Sequence, residues 1–60
     1  MASSDLVKAS SVKVGDRIAT SKGSERVTQT YTSGRFVHIT TDVSGKTTYN
    51  RNDMIGKITG

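Results

Sequence analysis

Tyr31, Phe36 and His38 stand close together in Tyr31-Thr32-Ser33-Gly34-Arg35-Phe36-Val37-His38, with a glycine turn signal between the first and the other two. On neighbouring strands such side chains offer π-faces on which bases can stack, and cations nearby would meet the phosphates. Arg26, Arg35, Lys46 and Arg51 are the cations expected to border this region. The same aromatic and arginine set would equally anchor a protein contact, since these residue types dominate interface hot spots. His38 is the only histidine, read either as a stacking or phosphate-contacting residue beside Phe36 or as an ordinary surface strand residue.

Catalytic chemistry finds little support. There is no cysteine, and no Ser or Asp beside His38 suggests a triad. The carboxylates Asp5, Asp16, Glu25, Asp42 and Asp53 form no paired acid–base motif; Asp16 is expected to bond turn amides and Asp53 to organise a 3₁₀ turn. The glycines are isolated, so no phosphate-cradling loop is present. With one histidine and no thiol, no multi-His or thiolate metal site can form. The sequence therefore predicts a non-enzyme without metal or cofactor.

Nine Lys/Arg against five Asp/Glu give a formal charge of +4 over 60 residues, favouring anionic partners. The cations are spread singly along the chain. No apolar run is long enough for a membrane span or a signal-peptide core, so the expectation is a soluble, cytoplasmic protein without a membrane partner. A chain of this length holds one small domain near the lower limit for independent folding. Residues 1–5 are expected to be a flexible N-terminus and 6–60 a single domain. A homo-oligomer paired through an edge strand would help so small a core.

These residues need strands to position them. Turn signals recur about every ten residues, as in an all-β domain: Gly15-Asp16, Ser21-Lys22-Gly23-Ser24, Thr32-Ser33-Gly34-Arg35, Ser44-Gly45-Lys46 and Asn50-Arg51-Asn52-Asp53. The runs between them are rich in Thr, Val, Ile and Tyr, which suit a pleated, half-buried surface. Strands are predicted at Asp16–Thr20, Arg26–Thr32, Arg35–Thr41, Lys46–Asn50 and Ile55–Thr59, with a further short strand or helical turn within Leu6–Val12. A 3₁₀ turn is expected before the last strand.

Alternation puts Val37 and Ile39 on one face, Phe36 and His38 on the other. Val27, Gln29 and Tyr31 share a parity, and a polar Gln29 facing the core would be costly, so a bulge near residues 28–30 is predicted. The expected core is Val12, Val14, Ile18, Val27, Val37, Ile39, Tyr49, Met54, Ile55 and Ile58.

The succession of strand, loop, strand, tight hairpin, strand, turn, strand, 3₁₀ turn and short last strand resembles the SH3-like small barrel. Val14-Gly15-Asp16-Arg17-Ile18-Ala19-Thr20-Ser21-Lys22-Gly23 is similar to the first half of a KOW-type motif, with Gly15, Asp16, Ile18 and Gly23 in place. Thr20 replaces its second apolar residue, and Val27 and Thr30 stand where further glycines belong. The resemblance implies a five-stranded antiparallel barrel and a partner such as RNA, DNA or a ribosomal or transcription-machinery surface. The plasmid-borne dihydrofolate reductases share the Gly-Asp strand opening. They need a late Val-Gln-Ile-Tyr stretch, and Lys46-Thr47-Thr48-Tyr49-Asn50 lacks its Gln and Ile.

Two readings follow. One is a nucleic-acid-binding module (DNA or RNA) using Arg26, Tyr31, Arg35, Phe36, His38, Lys46 and Arg51. The other is a protein-interaction module, an accessory subunit or small inhibitor of a larger machine. Burial of the aromatics would remove the centre of both: Phe36 would then cap an open barrel end and Tyr31 complete the core.

Overall fold

A computed structural model of the chain describes residues 4–59. The elements run β1 (Ser4–Lys8), a 3₁₀ turn (Ala9–Ser11), β2 (Arg17–Thr20), β3 (Gly23–Ser33), β4 (Phe36–Thr41), β5 (Gly45–Asn50) and β6 (Met54–Ile58). All neighbouring strands pair antiparallel in a single sheet of order β1-β6-β2-β3-β4-β5.

The all-β expectation holds, but two parts of it are corrected: the sheet has six strands instead of five, and it is open instead of closed into a barrel. The sixth strand comes from Leu6–Val12, which supplies both a strand and the 3₁₀ turn. β6 uses both of its edges, one on β1 and the other on β2. It has no edge left for β5, so β1 and β5 end the sheet. Ser4 and Asp5, from the stretch expected to be flexible, pair with Ile58 and Lys57; residues 1–3 of that stretch lie outside the described residues.

The 3₁₀ turn also lies elsewhere than expected. The stretch before the last strand is a tight turn closed by reciprocal bonds. Asp53 N–H donates to Asn50 O, 2.9 Å, and Asn50 N–H donates to Asp53 Oδ2, 2.9 Å. Those bonds satisfy the four-residue reversal without helical continuation.

β3 shapes the molecule. Its first half pairs with β2 through Gly23–Arg26 and its second with β4 from Val27 to Ser33. The predicted bulge is present: the register shifts between Val27 and Gln29. The extra residue bends the strand between the two halves of the sheet. The core lies on the inner side and consists of Ala9, Val12, Ile18, Val27, Val37, Ile39 and Ile55, with Val7 and Tyr49 packed against it.

Three expected core residues are not there. Val14 is exposed because it sits in the loop before β2, and Met54 is exposed because it pairs with Lys8 on the outer side. Ile58 is half-buried. Ala9 takes a core place instead, carried in by the 3₁₀ turn, with its N–H donating to Asp53 O, 2.8 Å.

The loop from Lys13 to Asp16 is tied to β3. Gly15 N–H donates to Val27 O (2.9 Å) and Val27 N–H to Asp16 O (2.8 Å). Gly15 holds φ +95°, with open space where a Cβ would stand. Gly15→Ala therefore meets a purely conformational penalty, expected to cost about 1–3 kcal/mol. It should appear as a lower urea midpoint at unchanged m-value.

Candidate functional site

The register across β3, β4 and β5 defines which side chains share a face, because directly paired residues point the same way. Val37 pairs with Tyr49 and Ile39 with Thr30 and Thr47, on the core side. The opposite side carries three rows: Ser33-Phe36-Asn50, Tyr31-His38-Thr48 and Gln29-Thr40-Lys46. None of these nine residues is acidic, and Lys46 brings a positive charge.

Tyr31 is 66% exposed and Phe36 47%, so neither completes the core nor seals an end of it. Tyr31 lies directly opposite His38. Their rings stack with centroids 5.9 Å apart and planes 18° from parallel, within the range of favourable aromatic pairs. His38 Nδ1 and Thr48 Oγ1 are 2.9 Å apart. That hydrogen bond, in which the hydroxyl donates to an unprotonated Nδ1 and accepts from a protonated one, fixes the ring against rotation. Phe36 precedes His38 by two residues on β4, so the two side chains are about 6.7 Å apart along the strand.

The predicted cations divide. Lys46 belongs to the face, beside Thr40 and Gln29. Arg35 and Arg51 meet at its Phe36 end, where Arg51 N–H donates to Arg35 O, 2.8 Å. Arg26 stands apart from the aromatics, in the half of β3 that pairs with β2 and directly opposite Arg17. Its backbone N–H donates to Asp42 Oδ1, 3.1 Å.

A shallow concavity of about 450 Å³ lies against the Tyr31–His38 pair, bounded also by Val14, Gln29, Thr40 and Lys46. It holds no acid–base pair. Among the described residues no group of three or more His, Cys, Asp or Glu side chains is placed to hold a metal ion. Among the described residues no helix is long and apolar enough to cross a membrane.

Asp16 accepts from a turn amide as its sequence position predicts, Lys13 N–H donating to Asp16 Oδ2 at 2.9 Å, whereas Asp53 accepts from Asn50 N–H within a tight turn instead of a 3₁₀ one. Asp16 Oδ2 also lies 3.7 Å from Lys57 Nζ. Glu25 was not anticipated. It is 1% exposed and lies opposite Ile18 on the inner side of the sheet. Its carboxylate accepts from Thr20 Oγ1, from Thr41 Oγ1 at 2.5 Å, from Ser44 Oγ at 2.9 Å and from Ser44 N–H at 3.3 Å. The Thr20 and Thr41 hydroxyls, helped by Ser44, outweigh burial and hold its pKa at about 2 instead of 4.5. The cluster joins the end of β2 to the β4–β5 turn and so supports the outer face from behind.

Comparison with protein-family models, with curated protein sequences and with solved structures finds no match for this chain.

Proposed function

We propose that this chain is a cytoplasmic nucleic-acid-binding module that takes a single strand across the outer face of β3, β4 and β5. The carrying observation is the exposure of Tyr31 and Phe36 on one sheet face without acidic residues, with Tyr31 already stacked on His38. Exposed aromatics cost solvation unless a partner covers them, and an open sheet face suits unstacked bases better than a duplex. Lys46, Arg35 and Arg51 flank the aromatics as phosphate contacts. The resemblance of the Gly15 to Gly23 stretch to a KOW-type motif, and of the strand succession β2 to β6 to SH3-like domains, supports the same partner class.

The test is fluorescence anisotropy with labelled single strands over a salt series. Log affinity is expected to fall linearly with log salt, with a slope near −2 for three phosphate contacts at about −0.7 each. Lys46→Ala should flatten that slope by about 0.7, and a duplex of the same sequence should bind more weakly. Absence of binding at low salt, or binding indifferent to salt, would overturn the reading.

A second reading, contact with a partner protein or a second copy, is favoured by a different surface. On the outer side of β1 and β6, Leu6 is 70% exposed and Met54 52%. Leu6 lies in one row with Gly56 and Ala19. These exposed apolar side chains, with Lys8 beside Met54, belong to the opposite half of the sheet.

A further inference from the structure

The bulge in β3 has a consequence for Gln29. In an unbroken strand Gln29 would point the same way as Val27, into the core. Val27 instead pairs with Thr41 on the buried side while Gln29 pairs with Thr40 on the outer side. Thr28 absorbs the extra step, its Oγ1 donating to Thr40 O, 3.2 Å. One inserted residue thus keeps Val27 in the core and turns Gln29 and Tyr31 toward solvent together, as bulges beside binding sites do.

Gln29 then stands in the wall of the concavity beside Tyr31 and His38. Val14, on the loop that Gly15 and Asp16 fasten to Val27, and Lys46 line it as well. The space offers the Tyr31 and His38 rings for a base to lie against, one aliphatic side chain, two threonines, one amide and one cation. Its volume of about 450 Å³ falls within the range of small-ligand sites.

We infer that this concavity is a nucleobase pocket in which Gln29 selects adenine. Resting on the single-strand reading above, this names what the face prefers. A planar amide presents one acceptor and one donor side by side. With its Hoogsteen edge turned to Gln29, as this pocket would require, adenine answers with its N6 amino group and N7, the pairing that glutamine makes in bidentate fashion, and a pyrimidine has no N7 to offer. Guanine offers two acceptors on that edge and leaves the Gln29 carbonyl unanswered. Adenine also presents a larger π-surface to Tyr31 than a pyrimidine does, while Lys46 meets the adjoining phosphate.

The experiment titrates the full chain with labelled short oligoadenylate, oligoguanylate, oligocytidylate and either oligouridylate or oligothymidylate, in ribo and deoxy forms. Oligoadenylate in at least one sugar series should bind at least about fivefold tighter than the others, the lower end of what one bidentate base contact discriminates. Gln29→Ala and the similarly sized Gln29→Leu should both reduce that preference below about twofold while the salt slope stays unchanged. Equal affinity for all bases, preference for another base, or an adenine preference that survives both substitutions overturns the pocket and leaves single-strand binding standing. Failure to bind any strand overturns both.

Discussion

Glu25→Ala is expected to lower the thermal midpoint by roughly 10 °C or more, a large loss for a 60-residue domain. The substitution removes the acceptor of four hydrogen bonds at once. It leaves the buried Thr41 hydroxyl and the half-buried Thr20 hydroxyl without that partner, and unsatisfied buried donors cost more than the bond itself contributes. Glu25→Gln retains shape and places an amino group among donors, so it should fall between wild type and alanine.

The pH dependence identifies the charge as the cause. Folding lowers the Glu25 pKa from 4.5 to about 2, so over that interval the unfolded chain binds more protons than the folded one. The contribution of Glu25 is therefore complete above about pH 5, declines as pH falls, and is gone below about pH 2. Urea unfolding of wild type and Glu25→Gln at pH 7 and pH 2 should show a gap that narrows on acidification. A gap of equal size at both pH values would mean that the ionised carboxylate is not what the hydroxyls stabilise.

The Tyr31→Ala/Phe36→Ala double variant should weaken single-strand binding at least about 30-fold, while changing the thermal midpoint by only a few degrees. Each base stacked on an aromatic ring contributes about 1–3 kcal/mol, and two rings on separate rows serve two bases. Because both side chains are exposed, their loss leaves the core of Ile18, Val27, Val37, Ile39 and Ile55 untouched. Phe36→Leu separates π-stacking from mere apolar contact: it should bind nearly as poorly as Phe36→Ala. Full affinity for the leucine variant would point to a protein-like hydrophobic contact instead.

The aromatic face was legible because it depends on local alternation. Phe36 and His38 against Val37 and Ile39 is a period-two pattern within β4, and Gly34, at φ +59°, marks the turn that brings Tyr31 alongside. Even the bulge could be read, since Gln29 in a core position is a conflict that one extra residue removes. What depends on distant partners was hidden. Glu25 had no assigned role in the sequence beyond being one of five unpaired carboxylates, and its inward parity with Val27 was the only sign of burial. Its partners Thr41 and Ser44 are separated from it by the whole of the β3–β4 hairpin. Strand count failed for a related reason: Leu6–Val12 is too short to declare itself, and only pairing with β6 makes its first part a strand. The placement of Val14 and Met54 followed apolarity, whereas loop position and register send both outward.

The most direct test of single-strand binding on this face is an amide and side-chain NMR titration with a short single strand at low salt. Shifts are expected on Gln29–Ser33, Phe36–Thr40 and Lys46–Asn50, including the Gln29 side-chain amide and the Tyr31 and Phe36 rings. Leu6, Ala19 and Met54 should stay in place. Shifts centred on Leu6, Ala19 and Met54, or none at all, would contradict single-strand binding by the outer face of β3, β4 and β5.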